Sequence, residues 1–170
     1  MRPLQLNAAA ALLALTAALA PAADKADMKG KDVAFDIRTG YFESNKSGLK
    51  GETSFLAFTD QDGFDKVFGK GVVMGAKQNF LPKDAFDSLL VVAAIRRGNA
   101  IWTYKVNKVT ADDDTLTVDY SATSKDGGTA TFASPLILSV DKGKYTSVVF
   151  IENGRKFGTA AVAKTKAKDD

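Results

Sequence analysis

The feature that most limits how this chain can fold is a pair of strand-like segments in its second half. Residues 100–110 and 115–123 are rich in β-branched and aromatic side chains, and apolar residues recur at every second position, which is the period of a half-buried strand. Trp102, Tyr104 and Val106 fall on one face of the first segment. The aspartates within residues 111–114 favour a turn between the segments. The sequence therefore predicts an antiparallel hairpin.

Other parts of the chain also have the character of strands. Residues 33–41 alternate, with a bend predicted at Gly40, and residues 53–59 form a short apolar run. Residues 88–95 are continuously apolar and predict a central buried strand. Residues 129–140, which contain Pro135, and residues 145–152 predict two more strands, and Asn153 and Gly154 are interpreted as the end of the pattern.

A short helix is predicted after residue 59. Asp60 suits the N-cap position, Asp62 falls in the first turn, and Phe64, Val67 and Phe68 form an apolar stripe at helical spacing. Together with the strands, this helix predicts a mainly β fold. We expect about seven mostly antiparallel strands, arranged as a sandwich or an open barrel, with one or two short helices.

The amino terminus has the pattern of a secretory signal peptide. Arg2 precedes an apolar run over residues 8–20, and the small residues Ala20 and Ala22 fit cleavage after Ala22. We therefore expect a signal peptide over residues 1–22, a polar leader over 23–32, a single β-rich domain over 33–155 and a disordered Lys/Ala-rich tail over 156–170. The mature protein is expected in the periplasm or outside the cell, without a stable membrane anchor, because no Cys stands at the cleavage point.

Composition removes much of the usual chemistry. The chain has no Cys and no His, so it lacks a thiol nucleophile, a thiolate metal site and a side chain that ordinarily titrates near pH 7. The surplus of Lys and Arg lies at Arg2 and from Arg155 onward, so the predicted domain is nearly neutral. We accordingly expect no nucleic-acid partner, no cofactor and no metal.

Two polar patterns have both a catalytic and a structural interpretation. Ser47 and Lys50 have the Ser-x-x-Lys spacing of serine β-lactamases and penicillin-binding proteins, but the companion elements are absent and the pair lies in a predicted loop. Asp112 to Asp114 could bind Ca²⁺ weakly, although a solvated hairpin turn is the simpler interpretation. We therefore expect that the protein is not an enzyme and keep a small Ser/Lys hydrolase as a minor alternative.

The best candidate binding residues lie where the central strand meets the hairpin. They combine cationic and aromatic side chains, the types that dominate protein interfaces, and comprise Arg96, Arg97, Trp102, Tyr104 and Lys105. The Trp102 face could be core or surface, which leaves the two arginines as the better surface candidates. Reversal of Arg96 and Arg97 to Glu is expected to weaken partner capture while changing stability by no more than about 1 kcal/mol.

The order of these elements resembles that of the PrcB-like proteins, exported bacterial proteins named for an accessory subunit of a surface protease complex. The resemblance covers residues 33–154: a strand that reaches Gly40, an aromatic helix ending at Phe68, an acidic-Phe turn at Phe86 and a strand led by Pro135. A basic-Gly turn at Arg96, Arg97 and Gly98 then leads into the strand hairpin, but the Thr-Gly-Gly-Tyr segment expected after this turn is replaced by residues 100–104. No catalytic residues are carried over.

The resemblance implies an exported accessory protein that binds another protein and stabilises a protease or envelope complex. A module that binds envelope or extracellular polysaccharide through exposed aromatic residues is the alternative from a different class.

Overall fold

A computed structural model describes residues 30–71, 75 and 77–163 of the chain. The predicted signal peptide, residues 23–29 of the predicted leader and residues 164–170 of the predicted tail lie outside the described residues. Within the described part, no helix has the length and apolar character needed to cross a membrane.

The fold is mainly β and mostly antiparallel, as the sequence predicts, and is consistent with a sandwich. The elements are β1 (Lys31–Asp32), β2 (Phe35–Arg38), β3 (Tyr41–Glu43), β4 (Thr53–Phe58), α1 (Gln61–Val67), β5 (Phe68–Lys70), α2 (Ala85–Ser88), β6 (Leu89–Gly98), β7 (Ala100–Asp112), β8 (Thr115–Asp126), β9 (Phe132–Asp141), β10 (Ser147–Glu152) and β11 (Arg155–Ala161). Sheet A has the strand order β1-β7-β8-β10-β11 and sheet B the order β2-β9-β6-β4, while β3 pairs with β5.

The main core lies between the two sheets. The period of two in β8 turns Leu116, Val118 and Tyr120 inward, and each is fully buried. The predicted hairpin is confirmed, because β7 and β8 pair antiparallel along their lengths. The strand β10 pairs with β8 in parallel and adds Val148 and Phe150 to the same core.

A third layer covers the outer face of sheet B. The predicted helix is confirmed as α1, and the side chain of Asp60 accepts a hydrogen bond from the Gly63 backbone nitrogen at its start. Phe64 of α1 is fully buried against a second core that includes Val91 of β6. Since Val92 faces the inter-sheet core, β6 is covered on both faces, and the prediction of a central buried strand is confirmed.

The carboxyl-terminal boundary of the predicted domain is wrong. Asn153 and Gly154 both have positive φ, 51° and 80°, as a two-residue hairpin turn requires, and the chain folds back as β11 beside β10. Residues 156–161, which the sequence assigned to a disordered tail, therefore belong to sheet A. The low-complexity composition concealed this strand because it has few large apolar side chains.

Two predicted boundaries near the amino terminus also change. The leader was expected to extend to residue 32, but Lys31 and Asp32 pair with β7 as β1. The predicted strand over residues 33–41 is divided at Gly40, whose φ of 86° ends β2 before β3 begins in a different sheet. The bend predicted at Gly40 is thus confirmed, while the continuous strand is not.

Candidate functional site

The two candidate arginines end the central strand and point to opposite sides of it. Successive side chains of a strand alternate between the faces of a sheet. Arg96 therefore continues the row of Ala94 into the space between the sheets, and Arg97 continues the row of Ile95 towards the third layer.

Arg96 connects sheet B to sheet A. Its guanidinium makes two hydrogen bonds to the carboxylate of Glu152, one of them from Nε to Oε2 at 3.3 Å, and Glu152 is only 8% exposed. The rings of Trp102 and Phe157 stack on the guanidinium, each with its centroid 4.2 Å from the central carbon. Charge pairing and cation–π contacts thus use the same side chain.

Arg97 connects sheet B to the third layer. Its Nε and Nη2 donate to the two carboxylate oxygens of Glu43 at 2.7 and 2.8 Å, and its Nη1 donates to Ser54 Oγ at 3.0 Å and to the Gly51 carbonyl at 3.1 Å. The side chains of Arg97 and Glu43 are 15% and 9% exposed. We call Arg96, Arg97, Glu152 and Glu43 the arginine clamp.

The arginine clamp corrects the expectation that the two arginines can be reversed at little cost. Both guanidiniums are bonded within the fold, and reversal to Glu would place a second carboxylate beside each buried one. The expectation failed because the acidic partners lie 56 and 54 residues away in the sequence. Glu152 did carry a readable signal, since it continues the inward row of Val148 and Phe150.

Trp102 and Tyr104 face the inter-sheet core and are half-buried. The Trp102 backbone nitrogen donates to Ser134 Oγ at 3.3 Å, and the Tyr104 hydroxyl donates to the Ser134 carbonyl at 2.8 Å. Burial raises the pKa of the Tyr104 phenol well above its ordinary value. Burial, together with the negative charge of Glu152, also raises the pKa of Tyr120. Both hydroxyls therefore remain neutral at physiological pH.

Lys105 lies on the opposite face of β7 and is exposed. The five candidate residues are thus divided: two form ion pairs within the fold, Trp102 and Tyr104 line the core edge, and Lys105 points to solvent. Phe157 is not among the predicted site residues because it lies in the predicted tail, yet its ring stacks on Arg96. The assignment of the five residues to partner binding stays a prediction.

A groove of about 320 Å³ opens beside Trp102 and Tyr104. It runs between β7 and the connection from β2 to β3, and it reaches β9. Its apolar members include Ile37, which is 41% exposed. The groove brings together aromatic, aliphatic and proline side chains, notably Ile37, Tyr41, Trp102, Tyr104 and Pro135.

A second pocket of about 540 Å³ contains the Ser-x-x-Lys pair. Ser47 Oγ donates to Glu43 Oε1 at 2.8 Å, while Arg97 already holds that carboxylate. Both oxygens of the Glu43 carboxylate are thus bound by Arg97, and Oε1 also accepts the Ser47 hydrogen bond. This geometry favours a structural role for Ser47 in ordering the loop, where it also accepts a hydrogen bond from the Leu49 backbone nitrogen at 3.2 Å.

The acidic turn between β7 and β8 is held by the fold. Thr146 Oγ1 donates to Asp114 Oδ2 at 2.6 Å, and this hydrogen bond lowers the pKa of Asp114. Across the described ranges, no three His, Cys, Asp or Glu side chains converge in a way that could hold a metal ion.

No family model, no curated protein and no solved structure matches the chain.

Proposed function

We propose that this chain is an exported, non-enzymatic domain that binds another protein through the groove beside Trp102 and Tyr104. The observation that supports this proposal is the groove itself, which has a volume of about 320 Å³ and is lined mainly by aromatic and aliphatic residues, with Arg38, Thr39 and Thr103 among them. Aromatic anchors in a partly desolvated recess are typical of binding hot spots. The signal-peptide pattern of residues 1–22 supports export.

Contacts with Arg96 and Ser134 hold the aromatic wall of this groove in place. Arg96 stacks on Trp102, and Ser134 fixes the Trp102 backbone and the Tyr104 hydroxyl. A side chain that is already ordered loses less conformational entropy when a partner binds. The resemblance to the PrcB-like proteins supports a partner that is an exported protease or an envelope complex, which this domain would stabilise as an accessory subunit.

A substitution at Ile37 tests the proposal. Ile37 is 41% exposed within the groove, so Ile37→Glu is expected to place a charge against the partner with a stability change below about 1 kcal/mol. The mature protein, tagged and crosslinked in its own cells, should retain a stoichiometric exported protein that Ile37→Glu loses at least about tenfold, equivalent to about 1.4 kcal/mol.

Phe42→Glu provides the matched control, because Phe42 is 50% exposed but lines the second pocket. Equal retention by the Ile37→Glu variant and the unsubstituted protein would remove the groove from the proposal. Recovery of the domain without any retained protein would contradict the proposal that it binds another protein.

The second pocket favours a polysaccharide as the alternative ligand. It combines the exposed Phe42 ring with polar side chains of Asn45, Ser44 and Lys50 in about 540 Å³, a mixture that suits stacking on a sugar and hydrogen bonding to its hydroxyls. Retention of the protein on envelope polysaccharide that Phe42→Glu abolishes and Ile37→Glu does not would support this alternative.

A further inference from the structure

The strand β7 has one edge that the described residues leave largely open. On one side it pairs with β8 from Ala100 to Asp112. On the other side, β1 pairs only with Thr110 and Ala111, and the Val33 backbone nitrogen donates to the Val109 carbonyl at 2.9 Å. The chain then crosses to sheet B as β2. Residues 100–108 therefore have no strand partner on this side within the described part of the chain.

Hydrogen bonds on both sides of the hairpin show which backbone groups face the open edge. The Trp102 N–H donates to Ser134 and so points away from β8. Two residues further along β7, Tyr104 lies opposite Ala122 of β8. The N–H and C=O groups of Ala122 both bind the side chain of Asn153, so they point away from β7. By alternation, Tyr104 and Val106 also direct their N–H and C=O groups to the open edge.

We propose that the partner binds as an extended segment that adds a strand to β7 along residues 102–106, in line with β1. The N–H groups it uses are those of Tyr104 and Val106, because the Trp102 N–H already donates to Ser134. The inference rests on the proposed function and names the mode of binding at the same groove. Main-chain hydrogen bonds to an open edge recognise a peptide backbone, whatever its sequence. The side chains of an added strand alternate, so every second one enters the groove beside Ile37 and Trp102.

The charge of the outer face selects the chemistry of the other side chains. Two exposed lysines lie among the outward residues that pair from Ile101 to Lys105: Ile101, Thr103 and Lys105 on β7, and Ser121, Thr123 and Lys125 on β8. The next outward residue of β8, Asp119, is a carboxylate, but it pairs with Lys108 and accepts a hydrogen bond from Asn107. Opposite charges on neighbouring strands stabilise a sheet, and like charges destabilise it. The occupant is therefore a segment with apolar residues at alternate positions and acidic residues between them.

A second copy of this chain fits the edge less well. When two β7 strands pair antiparallel, the two Lys105 ammonium groups lie on the same face of the sheet. They are directly opposite each other if the pairing is centred on Lys105, and separated by one intervening residue pair if it is centred on Tyr104. This like-charge contact opposes self-pairing, whereas an acidic segment of another protein makes favourable contacts at the same positions.

Residue-resolved amide exchange by NMR tests the inference on the mature full chain. The probe is a blocked synthetic octapeptide that alternates valine and glutamate, and its control alternates valine and lysine. In the free protein, the amides of Tyr104 and Val106 should exchange quickly, and those of Thr103 and Lys105, which face β8, slowly. The glutamate peptide should slow the first pair and bind at least about tenfold more tightly than the lysine peptide.

Val106→Pro removes an edge N–H without removing a bond to β8, and Val106→Ala is its matched control. The proline variant should bind the glutamate peptide more weakly than the alanine variant, and slow amide exchange in β8 and β10 verifies that both are folded. If either variant fails to fold, the exchange of Tyr104 and Val106 in the unsubstituted protein decides the matter.

Several results would overturn strand addition. Protected Tyr104 and Val106 amides in the free monomer would mean that the chain covers its own edge, and protection with dimer formation in sedimentation would mean self-pairing. Peptide binding without protection would exclude the mode. If the natural partner is lost from Ile37→Glu while these amides stay unprotected in the complex, the proposed function stands and strand addition fails. If the peptide protects the Tyr104 and Val106 amides but no natural partner is captured, strand addition stands and the proposed function fails.

Discussion

Arg96 and Arg97 show how neighbouring residues of one type can have separate structural tasks. Both guanidiniums pair with carboxylates that are less than one-tenth exposed, Glu152 on one side and Glu43 on the other. A buried ion pair adds little over a well-packed apolar pair, but the loss of one partner leaves an uncompensated charge. Arg96 and Arg97 therefore contribute mainly to the stability of the fold.

Arg96→Gln is expected to lower the free energy of unfolding by about 3 kcal/mol, because Glu152 is left buried without its charge partner and the stacking on Trp102 is weakened. The double variant Arg96→Gln/Glu152→Gln should lose less than the sum of the single variants. Urea unfolding measures both values. Lys105→Gln, on an exposed side chain, should change stability by less than about 0.5 kcal/mol; additive single variants would show that the pair contributes no coupling.

The strand β11 shows that a segment of unremarkable composition can be part of a sheet. Gly158 lies where any larger residue would meet the Phe55 ring, since an added Cβ would be 2.1 Å from its Cε2. Phe157 in turn packs on the same ring, with the centroids 5.3 Å apart. The close approach of β11 to β4 at one side of the sandwich therefore depends on a glycine at this position.

Gly158→Ala is expected to destabilise the protein by about 1–3 kcal/mol, because the new methyl group must displace a packed aromatic ring or the strand itself. Thermal unfolding of the variant measures this loss. Phe55→Leu in the same background should recover part of it by removing the obstructing ring. A Gly158→Ala variant as stable as the unsubstituted protein would mean that β11 is separable from sheet B, as the predicted tail implied.

The elements that could be predicted are those in which the hydrophobic pattern lies within the element itself. The period of two identified β7 and β8, and the unbroken apolar run identified β6, because each of these patterns is local. The sequence did not indicate that β10 lies parallel to β8, since strand order depends on contacts between distant segments. The Asn153-Gly154 pair is typical of a two-residue hairpin turn. It was interpreted as the end of the last strand because the residues after it show only a weak strand pattern.

At the scale of the whole molecule, the described residues form three layers that share sheet B as the middle one. Its strand β6 contributes to both cores, and the arginine clamp joins it to a different layer on each side. The groove proposed for binding lies where sheets A and B separate, close to Arg96 but away from Glu43. The two halves of the arginine clamp should therefore affect different layers.

Arg97→Gln should increase amide exchange in α1 and β5 of the third layer, by about 100-fold if the local loss is near 3 kcal/mol, while the amides of β8 and β10 change much less. Arg96→Gln should have the opposite distribution, with the increase in β10 and β11, so each variant is the control for the other. Hydrogen exchange followed by mass spectrometry resolves these segments. Equal acceleration of all segments by both variants would mean that the layers open only together. In that case the arginine clamp stabilises the whole fold, and rigidity of the groove wall could not be assigned to Arg96 alone.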